Sequence, residues 1–163
     1  MLVATIACVV SLFAQDLRVD GVAARDGIPK PGVAFTQQSL AKMPVTKVHT
    51  SDRNGADRVY EGVLLSDLLR SAGQPFGEDL RGSLLSRYVV ATAKDGYRVL
   101  FSLPELDPAF RENRTIVAYR INGAGLPARE GPLRIVVANE KREARWLRML
   151  ERIEVLSLPE AIR

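Results

Sequence analysis

The chain has 163 residues, 47% hydrophobic and 26% charged, with a formal net charge of +4. That balance is globular and large enough for a real core, and it excludes a disordered or collagen-like polypeptide. The mild basicity is carried mostly by arginine and slightly favours anionic ligands, although an arginine-rich proteome gives the same bias.

The first stretch, "MLVATIACVVSLFA" (Met1 to Ala14), is almost wholly apolar. It falls short of the about 20 apolar residues of a membrane helix. It reads as the apolar core of a secretory signal cut after Ala14, although no basic n-region precedes it. The expectation is a single domain over residues 15–163, periplasmic or secreted, with no stable membrane span after the signal is removed. Cys8 lies inside this stretch, and Thr5 stands where a lipidation signal needs an apolar residue. With the cut at Ala14 the mature chain has no cysteine, hence no disulfide and no thiolate ligand.

Beyond it, "LRVDG" reads as a strand and "DGIPKPG" (Asp26 to Gly32) as a turn-rich break. "QQSLAKM" is a short helix that Thr36 can cap. "VTKVHT" and "RVYEG" are strands joined through "TSDRNGAD" (Thr50 to Asp57), whose Asn-Gly pair marks a hairpin. "LLSDLLRSAG" puts Leu64, Leu65, Leu68 and Leu69 on one helical face, with Gly73 placed to end it. "RYVVATA", "YRVLFSL", "TIVAYRING", "PLRIVVA" and "RIEVLSL" are strand-like, rich in Val, Ile and Tyr. "LPELDPAF" begins with Pro104 near a helix start and is broken at Pro108. "KREARWLRML" predicts a helix with Lys141, Arg145 and Arg148 on one face and Trp146, Leu147 and Leu150 turned elsewhere. Many strands with scattered short helices indicate an α+β, mixed-sheet domain.

Familiar catalytic patterns are missing. One histidine, His49, and one cysteine cannot make a zinc site of about four ligands. There is no G-x-S-x-G elbow, no Walker loop and no Rossmann fingerprint. Glu105 and Asp107 lie too close in sequence to flank a sugar. The C-terminal cations are interleaved with acids, and aromatics are only 6%, so nucleic acid is not an expected partner.

Three longer stretches carry a resemblance. "YEGVLLSDLLRSAG" (Tyr60 to Gly73), "YVVATAKDGYRVLFSLPEL" (Tyr88 to Leu106) and "VAYRINGAGLPAREGPLRIVVANEKREARWLRMLERIEVL" (Val117 to Leu156) follow one another in order. They resemble the G-V-x-L-x-x-L-L-x-x-A-G segment, the D-G-Y hairpin and the A-Y-x-x-N-G-x-x-L-P … G-x-P-L-R … Trp region of the sulfite oxidase-type molybdopterin-binding domain family. The likeness runs from about Leu17 to Leu158 and is strongest to small, secreted bacterial single-domain members.

The resemblance implies a mixed α+β fold and a pterin pocket made by loops. It puts His49 and Thr50 near the position of the family's molybdenum-binding cysteine, which this chain lacks. It puts Arg134, Lys141, Arg142 and Arg145 where anionic groups of the cofactor are held, with Trp146 and Tyr97 as walls and Asp95 in the D-G-Y turn at the pocket mouth. Arg129 and Glu130 stand before Gly131 where the family often has histidine, and Arg148 reads as surface. The implied ligand is molybdopterin or another pterin, a small anionic heterocycle, bound without conventional molybdenum catalysis. Two alternatives stay open: a molybdenum-dependent oxidoreductase with an atypical ligand set, and a ligand-free module docking a cell-envelope protein partner.

Overall fold

The structure is a computed structural model that describes residues 16–21, 31–51, 54–112 and 114–158. The apolar N-terminal stretch with Cys8, and most of "DGIPKPG", lie outside the described residues. Among the described residues, ten strands form two sheets. One has the order β2 (Val33–Phe35), β1 (Leu17–Asp20), β10 (Leu150–Ser157), β5 (Arg87–Ala93), β6 (Arg98–Ser102). The other has the order β3 (Val45–Ser51), β4 (Asp57–Leu64), β7 (Thr115–Ile121), β8 (Ala124–Gly125), and β9 (Arg134–Val137) also pairs with β7. Strands β1 and β10 run parallel, and the remaining neighbours run antiparallel.

The strand pattern follows from alternation. β5 buries Arg87, Val89, Ala91 and Ala93 on one face and leaves Tyr88, Val90 and Thr92 half-buried on the other. β9 is different: all four residues, Arg134 to Val137, are buried, as expected of a strand covered on both faces. Both sheets contribute to one apolar core, which includes Tyr60, Phe101, Ile116, Ile135, Leu147 and Ile153.

Helices are short, and their ends are chemically marked. α1 (Gln37–Leu40) is capped by the Thr36 hydroxyl, which accepts from the Ser39 amide at 3.0 Å. α2 (Leu65–Ser71) buries Leu65, Leu68 and Leu69 and stops before Gly73, whose φ is 87°. α3 (Leu103–Leu106) starts at Ser102, which caps the Glu105 amide, and ends ahead of Pro108. Strands β2 and β8 escape sequence reading because they are three and two residues long.

One expected element is overturned. "KREARWLRML" is not an α-helix: it holds a single 3-10 turn, Glu143–Arg145, and then bends at Arg148 and Met149 into β10. The reason is tertiary. The Ile135 amide donates to the Leu147 carbonyl, Leu150 to Leu133 and Met149 to Glu130, at 2.8, 2.9 and 2.9 Å. These bonds lay the segment alongside β9 as a strap and bury both Trp146 and Leu147. A backbone already bonded sideways cannot also close i to i−4 rings.

Candidate functional site

Arg134 opens β9 in the packed interior, with only 4% of its surface exposed. Its Nη1 donates to the Tyr60 hydroxyl at 3.0 Å and to Glu130 Oε2 at 2.6 Å. The guanidinium carbon lies 5.1 Å from the Tyr60 ring centre and 5.6 Å from that of Trp146. The two rings meet edge to face at 5.8 Å. A buried cation therefore has a carboxylate, a hydroxyl and two aromatic neighbours, which together offset its desolvation. Two donors remain unmet: Arg134 Nε and the Trp146 indole N–H are buried without a hydrogen-bond partner among the described residues.

This cluster forms one wall of a cleft of about 940 Å³. The β3–β4 hairpin contributes Asn54 and Arg58, and the approach to β9 contributes Arg129, Glu130 and Arg134. The strap contributes Lys141, Arg142, Glu143, Ala144, Trp146 and Arg148. Lys141, Arg142 and Arg148 enter no ion pair among the described residues. A cleft lined by more cations than carboxylates focuses positive potential and draws anions. A second hollow, about 280 Å³, lies at the turn end of the hairpin and is lined by His49, Thr50, Ser51, Asp57, Arg58 and Val59. Arg58 borders both.

The residues expected at the site separate into three groups. Arg134, Lys141, Arg142 and Trp146 come together in the large cleft. His49 and Thr50 line the small one. Arg145, Asp95 and Tyr97 line neither. Arg145 donates to Glu105 at 2.9 Å and bonds Glu140, with its guanidinium 4.8 Å from the Phe101 ring centre. Burial pulls its pKa down, but the hydrogen bonds to Glu140 and Glu105 more than offset this and hold it above the usual guanidinium value. Asp95 accepts from the Tyr97 amide, and the Tyr97 hydroxyl donates to the Ala144 carbonyl at 2.9 Å. These three residues shape and tether the loops rather than border the cleft.

Sequence reading missed Asn54, Arg58, Arg129 and Glu130 as cleft residues, and it set Arg148 aside. Arg148, read as surface, is exposed and also borders the large cleft.

No curated protein matches the chain. The family model described as the oxidoreductase molybdopterin binding domain matches residues 33–161, which takes in both sheets apart from β1, the strap and every residue of the two hollows. With most of its length so matched, and an α+β fold that sets an arginine–aromatic cluster in a basic cleft, the chain belongs to the oxidoreductase molybdopterin-binding domain family.

Proposed function

We propose that the large cleft binds a pterin, molybdopterin or a close anionic relative, and that it does so without conventional molybdenum catalysis. The observation that carries this reading is the pair of unmet buried donors, Arg134 Nε and Trp146 Nε1, at the wall of a cation-rich cleft. Buried polar atoms without partners are rare in folded proteins and mark places where something else completes the structure. Lys141, Arg142 and Arg148 supply charge-assisted donors for a phosphate, and Trp146 gives an aromatic border for a flat ring.

The residues fit the organic part of the family's cofactor but not its protein-bound metal. The small hollow offers the imidazole of His49, the hydroxyls of Thr50 and Ser51 and the carboxylate of Asp57, and the chain's one cysteine, Cys8, lies far upstream in sequence. Nitrogen and oxygen donors do not replace a soft thiolate in holding and tuning such a metal. Export through the Met1–Ala14 stretch belongs to the same proposal. N-terminal sequencing of protein from its native host checks it.

Trp146 is the chain's only tryptophan and lines the cleft, so its emission reports occupancy without a label. Titration of the protein with neopterin monophosphate is expected to change that emission saturably. Paired replacement Lys141→Gln with Arg142→Gln weakens binding about tenfold or more, the scale of a lost charged hydrogen bond of about 1.5–3 kcal/mol. No saturable change, or the same affinity in the variant, defeats the reading.

A further inference from the structure

The charged residues lining the cleft are cations except Glu130 and Glu143, and the two acids differ. Glu143 is exposed on the strap. Glu130 is 8% exposed. Its backbone is held on both sides: its amide donates to the Pro127 carbonyl at 2.8 Å, and its carbonyl accepts from the Met149 amide at 2.9 Å. Its two oxygens are in different situations. Oε2 accepts from Arg134 at 2.6 Å. Oε1 receives no hydrogen bond among the described residues, and the cation ion-paired to it, Arg129 Nε, is 3.9 Å away, beyond hydrogen-bond reach.

A carboxylate in the cleft lining, held by Arg134 through one oxygen with the other open, is a poor neighbour for an anion and a good acceptor for an N–H group. We infer that Glu130 is the specificity-determining residue of this cleft: its Oε1 accepts a hydrogen bond from the amino-substituted, N–H-bearing edge of a flat heterocycle, while the strap cations take the ligand's anionic end. The inference rests on the function proposed above and adds the ring chemistry. The cleft takes 2-amino-4-oxo ring systems and rejects rings that carry a carbonyl at the 2-position. A carbonyl there removes the amino donor and presents lone pairs to the carboxylate in its place. Arg134, paired with Glu130 and enclosed by two rings, frames the carboxylate rather than holding the phosphate.

The test compares neopterin monophosphate with the 2,4-dioxopteridine bearing the same phosphorylated side chain, read through Trp146 emission on wild type and Glu130→Gln. Wild type is expected to prefer the 2-amino ligand on the order of tenfold to a hundredfold. Glu130→Gln, whose amide oxygen still accepts from Arg134, is expected to bring the two affinities within about threefold of each other. Wild type binding both ligands equally overturns the inference while leaving the pterin-phosphate reading standing, as does a variant that keeps the preference. Binding of neither ligand defeats both. If Glu130→Gln does not fold, the wild-type comparison alone decides.

Discussion

Arg145 shows how a residue expected in contact with ligand can serve the site at one remove. It crosses from the strap to α3 through Glu105, back to the strap through Glu140, and lies over Phe101 of β6. Tyr97 adds a second tie by donating to Ala144. Between these ties the strap carries Lys141 and Arg142 into the cleft wall. Arginine can bridge two carboxylates because its donors spread across a planar fork, and a lysine ammonium cannot hold the same geometry. Both Arg145→Ala and Arg145→Lys are therefore expected to speed amide exchange over residues 139–145 by tenfold or more, with the global melting midpoint falling by the equivalent of about 1–2 kcal/mol. Exchange followed by mass spectrometry checks this. A lysine variant as protected as wild type removes the fork argument.

At the scale of elements, the packing of β4 on β7 depends on one absent side chain. Gly62 opposes Ala118, and the pairing shifts register between Glu61 and Gly62. A Cβ built on Gly62 meets the Val117 carbonyl oxygen at clashing distance and the Ala118 Cα at 2.6 Å, both backbone atoms that cannot swing away. Gly62→Ala is expected to destabilise the domain by about 1–3 kcal/mol, read by urea or thermal unfolding, because relief requires the two strands to part. An unchanged midpoint contradicts it. The neighbouring turn is settled locally. Asn122 and Gly123 both have positive φ, 49° and 78°, and the Asn122 side chain accepts from the Val59 amide, locking the β7–β8 hairpin to β4. Such local signals made much of the fold legible: the Asn54-Gly55 turn, Thr36 ahead of α1, Gly73 behind α2, and the alternation along β5. The strap was not legible. Its sequence has helical spacing, and what overrides it is hydrogen bonding to Leu133 and Ile135, a fact of tertiary contact that no window of the chain contains. The cleft was half legible for the same reason. Residues on the strap and β9 carried a family pattern, whereas Asn54 and Arg58 reach it only because β3 and β4 fold back as a hairpin.

Over the whole molecule, the net charge of +4 is spread unevenly. On the outer face of the first sheet, charges alternate in sign and pair: Arg18 with Asp20, and Arg152 with both Asp20 and Glu154. Such a ladder cancels its own field beyond about one Debye length, near 10 Å at 0.1 M salt. The large cleft does the opposite, with Lys141, Arg142 and Arg148 left without ion pairs among the described residues. Affinity for a phosphorylated ligand should then depend on where a charge sits and not on the total. Arg148→Gln and Arg98→Gln remove the same charge, the first from the cleft and the second from exposed β6 in the other sheet. Measured between about 0.05 and 0.5 M salt, where the Debye length contracts from roughly 14 to 4 Å, wild-type affinity for neopterin monophosphate is expected to fall steadily. Arg148→Gln should weaken low-salt binding severalfold and flatten that dependence. Arg98→Gln should follow the wild-type line. Coincident slopes for the two variants would mean that net charge, and not the cleft, attracts the anion, and the strap would revert to what its sequence alone suggests, a solvated basic surface.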